Sequence, residues 1–514
     1  MPVGVVIRNN QYYDSLFLMG VNKRLSGIKG VQNTAVLMGS EKNKQLLADI
    51  GILDTRIDSA QPNDLIVAVI AESSQVVEDV LGKLDEVLDR MAEVTTVSVL
   101  HTFEEGLSQK PGANLAVISI PGEYASHEAR KALESGLNVF LFSSNVPIEE
   151  ELALKQLAAE KNLLVMGPDC GTSLIGGVGV GFTNVVRQGS IGVIGAAGTG
   201  LQEFTSQVHN AGFGISHAIG TGSHDISDDI EGMTTFTALE TFEADPQTET
   251  VVFISKPPGV KTIHRLVERL EDYKKPAIGC FLGAHREKPI KNPYLHFVDT
   301  IDEAVTMAIQ SISGKSCDLQ IKLSPEELEW VGAERAGWSP DQKYLRAFFA
   351  GGTFCYQTQQ ILRAEGIAIH SNTPLDPQYK LTHPDQSTAH SVVDMGDDYF
   401  TLGKPHPMID GTLRRQRILS EGRDPQIAIL LLDFILGYNA SMDPVGELLD
   451  AIQETSQAAR QRGGSLTVVA SICGTEGDPQ DLNLQTRMLK EAGVRVFRSN
   501  ARAAYFCSQL LKQR

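Results

Sequence analysis

One short pattern occurs twice in this chain, and the repetition narrows what the chain can fold into. Ala197-Gly198-Thr199-Gly200-Leu201 follows the apolar run 191–195 and opens a helix-like stretch that stops at Ala211-Gly212-Phe213. Gly351-Gly352-Thr353-Phe354-Cys355 follows the run 345–350 and opens another, which stops at Glu365-Gly366-Ile367. Gly198 to Gly212 and Gly352 to Gly366 both span 14 positions. Further on, Asp245-Pro246-Gln247 and Asp424-Pro425-Gln426 each lead into an apolar run. Each copy reads as strand, Gly-Thr turn and helix N-terminus, which gathers unpaired N–H groups and the positive end of a helix dipole. Two such loops predict two helix ends aimed at one phosphoryl or acyl-phosphate group. The phosphate-binding candidates are Gly198, Thr199 and Gly200 in the first loop and Gly351, Gly352 and Thr353 in the second.

The pattern divides the chain. Residues 1–110 read as a small ferredoxin-like or ACT-like α/β module, with strands near 3–7, 31–38 and 65–71 and one long helix over 74–91. Residues 111–187 alternate strand and helix as a doubly wound, Rossmann-like domain. The repeats occupy 188–313 and 344–514 as flavodoxin-like α/β domains. Between them, 314–343 is a polar linker whose Ser324-Pro325-Glu326-Glu327 predicts a capped helix.

Composition excludes several classes of partner. A net charge of −18 argues against nucleic acid and anionic membrane. No apolar run approaches the ~20 residues of a membrane span, and the N-terminus reads as a strand without a cleavable signal, so a cytoplasmic location is expected. The six cysteines show no metal-ligand spacing and read as reduced, packed thiols. Asp394, Asp397 and Asp398 form a turn that reads as solvated, with a divalent metal as the alternative.

Ligands of doubly wound sheets sit at the carboxyl ends of strands. Three exits in 111–187 are Gly- or Pro-rich or polar: Pro121-Gly122, Ser143-Ser144-Asn145 and Gly167-Pro168-Asp169-Cys170. Pro121, Gly122, Gly167, Pro168 and Asp169 are accordingly cofactor-pocket candidates. In Lys404-Pro405-His406-Pro407, two prolines restrain His406, which reads as a general acid or anion ligand, with Lys404 and Asp410 as neighbours. His224 lies in the matching turn of the first repeat. Asp433 and the run Cys473–Asp478 lie at further strand exits, and His285-Arg286 is a candidate carboxylate grip.

The order of these parts resembles the acyl-CoA synthetase superfamily that includes succinyl-CoA synthetase. Gly167-Pro168-Asp169-Cys170 is similar to the α-subunit's Gly-Pro-Asn-Cys turn, and Ala197–Glu203 to its Ser-Gly-Thr loop with the following Glu. Residues 344–514 resemble the ligase domain of the β-subunit. The whole chain resembles the FdrA family, in which both halves are fused behind an extra N-terminal domain. In that domain the resemblance rests on Gly30-Val31, Val36-Leu37-Met38-Gly39-Ser40 and Asn43-Lys44. The resemblance implies an active-site role for Glu203.

Three departures bear on chemistry. The superfamily's phosphohistidine loop, Gly-His-x-Gly-Ala, does not occur in this sequence. The Gly-rich CoA loop is replaced by residues 1–105, and an ATP-grasp domain is not seen. Phosphate is therefore expected as a substrate, while CoA and nucleotide are doubtful. The FdrA resemblance implies carbamoyl transfer in allantoin and oxalurate catabolism, as part of an oxamate carbamoyltransferase, with a small carboxylate and phosphate as ligands and partner subunits alongside. The rivals are an ADP-forming acyl-CoA ligase with His224, His285 or His406 as phosphoacceptor, and a non-catalytic metabolite-binding subunit.

Overall fold

The computed structural model describes residues 2–512 except 14, 50–51, 94–99, 101, 284–294, 316–320 and 403. His285, Arg286 and Cys317 fall outside the described residues. The chain forms two compact units: Met1–Gly112 with Leu402–Pro405, and Ala113–Thr401 with His406–Arg514.

In the first unit a three-stranded antiparallel sheet runs in the order Val3–Arg8, Leu65–Ala71, Val31–Met38. The central strand, LIVAVIA, is apolar at every position because both of its faces are covered. Val67 and Val69 pack with Leu18, Val21 and Val80 from helices on one side. Ile66 and Ala68 pack with Leu47 and Ile57 from short helices on the other. The single helix expected over 74–91 is two helices, Ser74–Gly82 and Leu84–Glu93. The break falls at Gly82-Lys83, where glycine weakens helix propagation.

Among the described residues the second unit contains three sheets. A parallel sheet joins Leu115–Ile118, Asn138–Leu141 and Val165–Met166. A seven-stranded sheet runs Leu295–Val298, Ala277–Phe281, Thr250–Ser255, Gln188–Gly195, Ile215–Gly220, Thr172–Ile175, Val178–Gly181. Its first five strands are parallel, and the last two form a hairpin that closes one edge. Gly176 and Gly177 make the turn with φ of 56° and 84°, the two positive values that a tight hairpin demands. This hairpin lies in the 111–187 segment by sequence but belongs to the sheet of the first repeat. A five-stranded parallel sheet runs Ser391–Asp394, Tyr344–Phe349, Ile427–Ile435, Thr467–Cys473, Arg495–Phe497. The linker holds the helix Pro325–Ala336, capped by Ser324 and Glu327, and Trp338 beyond it is buried with its indole donating to Thr467.

In each repeat an apolar strand ends in the Gly-Thr turn and starts a helix of 13 residues: Gly198–Asn210 in the first and Gly352–Ala364 in the second. Both helices are followed closely by a positive-φ glycine, Gly212 at 90° and Gly366 at 77°, the left-handed stop that glycine adopts without a Cβ penalty. The two helices pack against one another. Three-layer α/β packing thus places both turns at the carboxyl ends of their sheets.

Candidate functional site

The two loops meet reciprocally. A Cβ on Gly351 would lie 2.7 Å from Thr199 Oγ1, and one on Gly200 would lie 2.8 Å from Thr353 Cγ2. Only glycine at these places lets the helix starts approach so closely. The N–H groups of Gly198, Thr199, Gly200, Gly352 and Thr353 have no hydrogen-bond partner among the described residues. Five donors at two helix starts form an anion-binding surface.

The loops are not equivalent. Gly351 N–H and Ala350 N–H both donate to Asp433, at 2.9 Å each, and Asp433 is further paired with Arg414 at 2.7 Å. Gly351 therefore shapes the second loop, and its amide is taken. Asp394, expected in a solvated turn, is buried, with its Oδ2 2.5 Å from where a Gly352 Cβ would stand. Burial raises the Asp394 carboxyl to about 7, against the pull of Lys256.

Lys256 was missed in the sequence, although Ser255-Lys256-Pro257-Pro258-Gly259 is a strand exit like the others. It follows the strand Thr250–Ser255, lies over the Tyr356 ring at 5.3 Å and has no hydrogen bond or ion pair among the described residues. Burial works against its charge, but Tyr356, Asp394, Asp169 and Cys355 outweigh that and hold its pKa above the ordinary lysine value. A charged, unpaired ammonium beside two helix starts suits a phosphate.

The three exits of the short parallel sheet converge. Ser143 Oγ accepts from Ile120 N–H at 3.1 Å, and Ser143 carbonyl accepts from Asp169 N–H at 2.9 Å. Pro121 and Gly122 start the helix Gly122–Glu134, and Gly122 packs on the carbonyls of Ser144 and Asn145. Gly167 and Pro168 are joined by a cis peptide, and a Cβ on Gly222 would meet Pro168 carbonyl at 2.4 Å. That contact seats the turn carrying His224 beside Asp169. His224 Nδ1 donates to Glu151 at 3.2 Å, and Glu151 is locked by Lys155, which also binds Asp225. The Glu151 hydrogen bond raises His224 above the ordinary imidazole value, and its ring is half-exposed. The carboxylate of Glu151 thus favours the protonated imidazole of His224, and Nε2 has no hydrogen-bond partner among the described residues.

Four sequence candidates take other places. Glu203 is enclosed: Oε1 accepts from Asn500 N–H at 2.6 Å, and Oε2 has no hydrogen-bond partner among the described residues. Burial, with Asp302 adding, pushes its carboxyl well above the ordinary value. His406 lies near the second loop, its Nε2 2.8 Å from a Cβ on Gly396. Burial, with Arg414 adding, lowers it to about 4. With Nδ1 accepting from Met408 N–H, its Nε2–H is a neutral donor and not a proton acid at pH 7. Asp410 caps the helix Thr412–Glu421 by accepting from Thr412 N–H at 2.8 Å. Lys404 is exposed and groups with the first unit.

Comparison with known proteins follows the same division. Three family models match: "AllF, heavy metal-associated domain" at residues 1–100, "CoA binding domain" at 186–270 and "CoA-ligase" at 348–509. The CoA-binding match falls on the first repeat, beyond the 111–187 segment that the sequence suggested for that type. The chain is 38% identical over 495 residues to "Uncharacterized protein YahF" of Escherichia coli (strain K12), covering 96% of each. The chain belongs to the YahF family. It is also 28% identical over 195 residues to the α-subunit of the ADP-forming succinate–CoA ligase of Methanothermobacter thermautotrophicus, covering 37% of this chain and 64% of that subunit. Among solved structures it is similar to ATP citrate lyase from Methanothrix soehngenii, at 12% identity and a TM-score of 0.36, covering 80% and 83%.

The YahF-family chain therefore has an acyl-CoA synthetase-like, succinyl-CoA ligase-like fold. The first family's name implies a heavy metal, yet residues 1–100 contain neither cysteine nor histidine, so thiolate and imidazole ligation are excluded there. Among the described residues no group of three or more His, Cys, Asp or Glu is arranged to hold a metal ion, and no helix is long and apolar enough to cross a membrane.

Proposed function

We propose that this protein transfers a carbamoyl group between an N-carbamoyl acid, such as oxalurate, and phosphate by way of carbamoyl phosphate, as a cytoplasmic step of allantoin breakdown. The observation that carries the reading is the reciprocal contact of the two loops, which leaves five unpartnered amides beside the unpaired ammonium of Lys256. A phosphate oxygen attacks the carbamoyl carbon, the bond from that carbon to the leaving nitrogen breaks, and the nitrogen takes a proton. Loop amides stabilise the oxyanion formed on attack because they are fixed before it forms. Lys256 balances the phosphate charge. His224, held by Glu151 and with its protonated form favoured by that carboxylate, supplies the proton to the leaving nitrogen.

A second reading, ADP-forming CoA ligation, is favoured by the relationship to the succinate–CoA ligase α-subunit. His224 would then accept the phosphoryl group on its open nitrogen. Purified protein supplied with carbamoyl phosphate and oxamate, with and without CoA and ATP, separates the two. Phosphate release that needs oxamate alone, and that is lost in Gly198→Asp, supports carbamoyl transfer. Turnover only when CoA and ATP are both present supports the ligase. Silence in every mixture points to a metabolite-binding subunit or to a requirement for partner subunits.

A further inference from the structure

Phosphate binding leaves one feature of the second loop unused. Asp394 is only 6% exposed. Its Oδ1 accepts from Gly396 N–H at 2.9 Å, while Oδ2 has no hydrogen-bond or ion-pair partner among the described residues. Oδ2 lies against Gly352 at the start of the second helix, and the adjoining Gly351 packs on Thr199 of the first loop. The free oxygen is thus within one residue of the place where the two loops touch. A ligand that covers this carboxylate oxygen must bring it a hydrogen-bond donor. A phosphate dianion brings none and is repelled by the ionised form of the carboxyl. Among the described residues no carboxylate lies against Gly198 or Gly200, so the first loop suits the anion, and the second suits a group with a carbonyl oxygen for the Gly352 and Thr353 amides and an N–H for Asp394.

We propose that Asp394 recognises the amide NH2 of a carbamoyl group whose phosphate rests on the first loop, so that the site takes carbamoyl and rejects isosteric acyl groups that present a methyl. The assignment rests on the carbamoyl-transfer reading above and names its specificity determinant. A methyl in that position leaves the Asp394 oxygen desolvated and unpaired, and a site built to hydrogen-bond an N–H discriminates strongly for that reason. Lys256 serves both ends, since its charge acts on Asp394 and balances the phosphate.

The test uses the full-length protein and two stable phosphonates that differ only at this group. Phosphonoacetamide carries NH2 where acetonylphosphonate carries CH3. Calorimetric titration of the wild type is expected to show the amide bound at least about tenfold more tightly. Asp394→Ala is expected to bring the ratio to about one while leaving the affinity for acetonylphosphonate in place. Asp394→Asn keeps an acceptor oxygen and the side-chain volume, so it retains part of the preference, and thermal melts of both variants report folding. Equal affinities in the wild type overturn the role of Asp394 while leaving carbamoyl transfer to be judged by phosphate release. A preference that survives in a folded Asp394→Ala protein also overturns it. If neither phosphonate binds, the inference falls together with the phosphate site beneath it.

Discussion

Burial holds the Asp394 carboxyl at about 7, whereas an unfolded aspartate titrates near 3.8. Between those values the folded protein keeps a proton that the unfolded chain has released, so this group's contribution to stability falls as pH rises through that window. Asp394→Asn is therefore expected to melt at a higher temperature than wild type at pH 8, with the difference closing towards pH 4. A variant no more stable at pH 8 would show that the carboxyl is not held up. His224 is shifted upward for a different reason, the hydrogen bond to Glu151. As a proton donor it works below its pKa, so activity should decline as pH rises through that raised value. His224→Gln should lower kcat by about a hundredfold and abolish this limb of the pH–rate profile. A purely structural role would lower activity equally at every pH.

At the level of elements, the strand–turn–helix units form where the repeated spacing predicts them, because glycine at each turn and just past each helix acts through neighbouring residues alone. The docking of one loop on the other is sterically demanding. Gly351 has a φ of −102°, which alanine tolerates, so the objection to a side chain there is contact and not conformation. Gly351→Ala would press on Thr199 from 2.7 Å and push the first loop out of line. Overpacking of this kind costs about 1–3 kcal/mol. Phosphate titration should show at least a tenfold loss of affinity while the protein remains folded at 25 °C. Unchanged affinity would mean that the first loop binds without support from the second. The hairpin at Gly176-Gly177 was not read from the sequence, because its strands are only four residues each, too short for periodicity to identify.

Across the whole second unit, the repeats are joined by polar side chains reaching across the chain. Asn184, just before the first repeat, donates to Asp478, His209 meets Glu476, and Glu203 accepts from Asn500 N–H. Asp302 lies with Glu203 around the Gln207 amide, and burial raises both carboxyls. Both raised values mean that the folded state binds more protons than the unfolded chain above the ordinary carboxylate range, so this pair weakens the fold as pH rises. Glu203→Gln keeps the oxygen that Asn500 needs and removes the charge. It should unfold at a temperature equal to or above wild type at pH 8; a clear loss there would show that the charge itself holds the repeats together.

The sequence by itself determined the two Gly-Thr loops, the capped linker helix, the α/β character of both units and the likeness to acyl-CoA synthetases, all carried by local spacing and by the order of segments. Only the tertiary structure decided which side chains meet. Lys256 and Asp394 leave strands of two different sheets and meet where the repeats pack, while His224, at a third exit, faces Asp169, which also lies near Lys256. Glu203, Asp410 and Gly351 resemble site residues by position, yet their polar atoms are directed to Asn500, Thr412 and Asp433. Local backbone chemistry acts over a few residues, whereas burial, charge pairing and access depend on which distant segments the fold packs together.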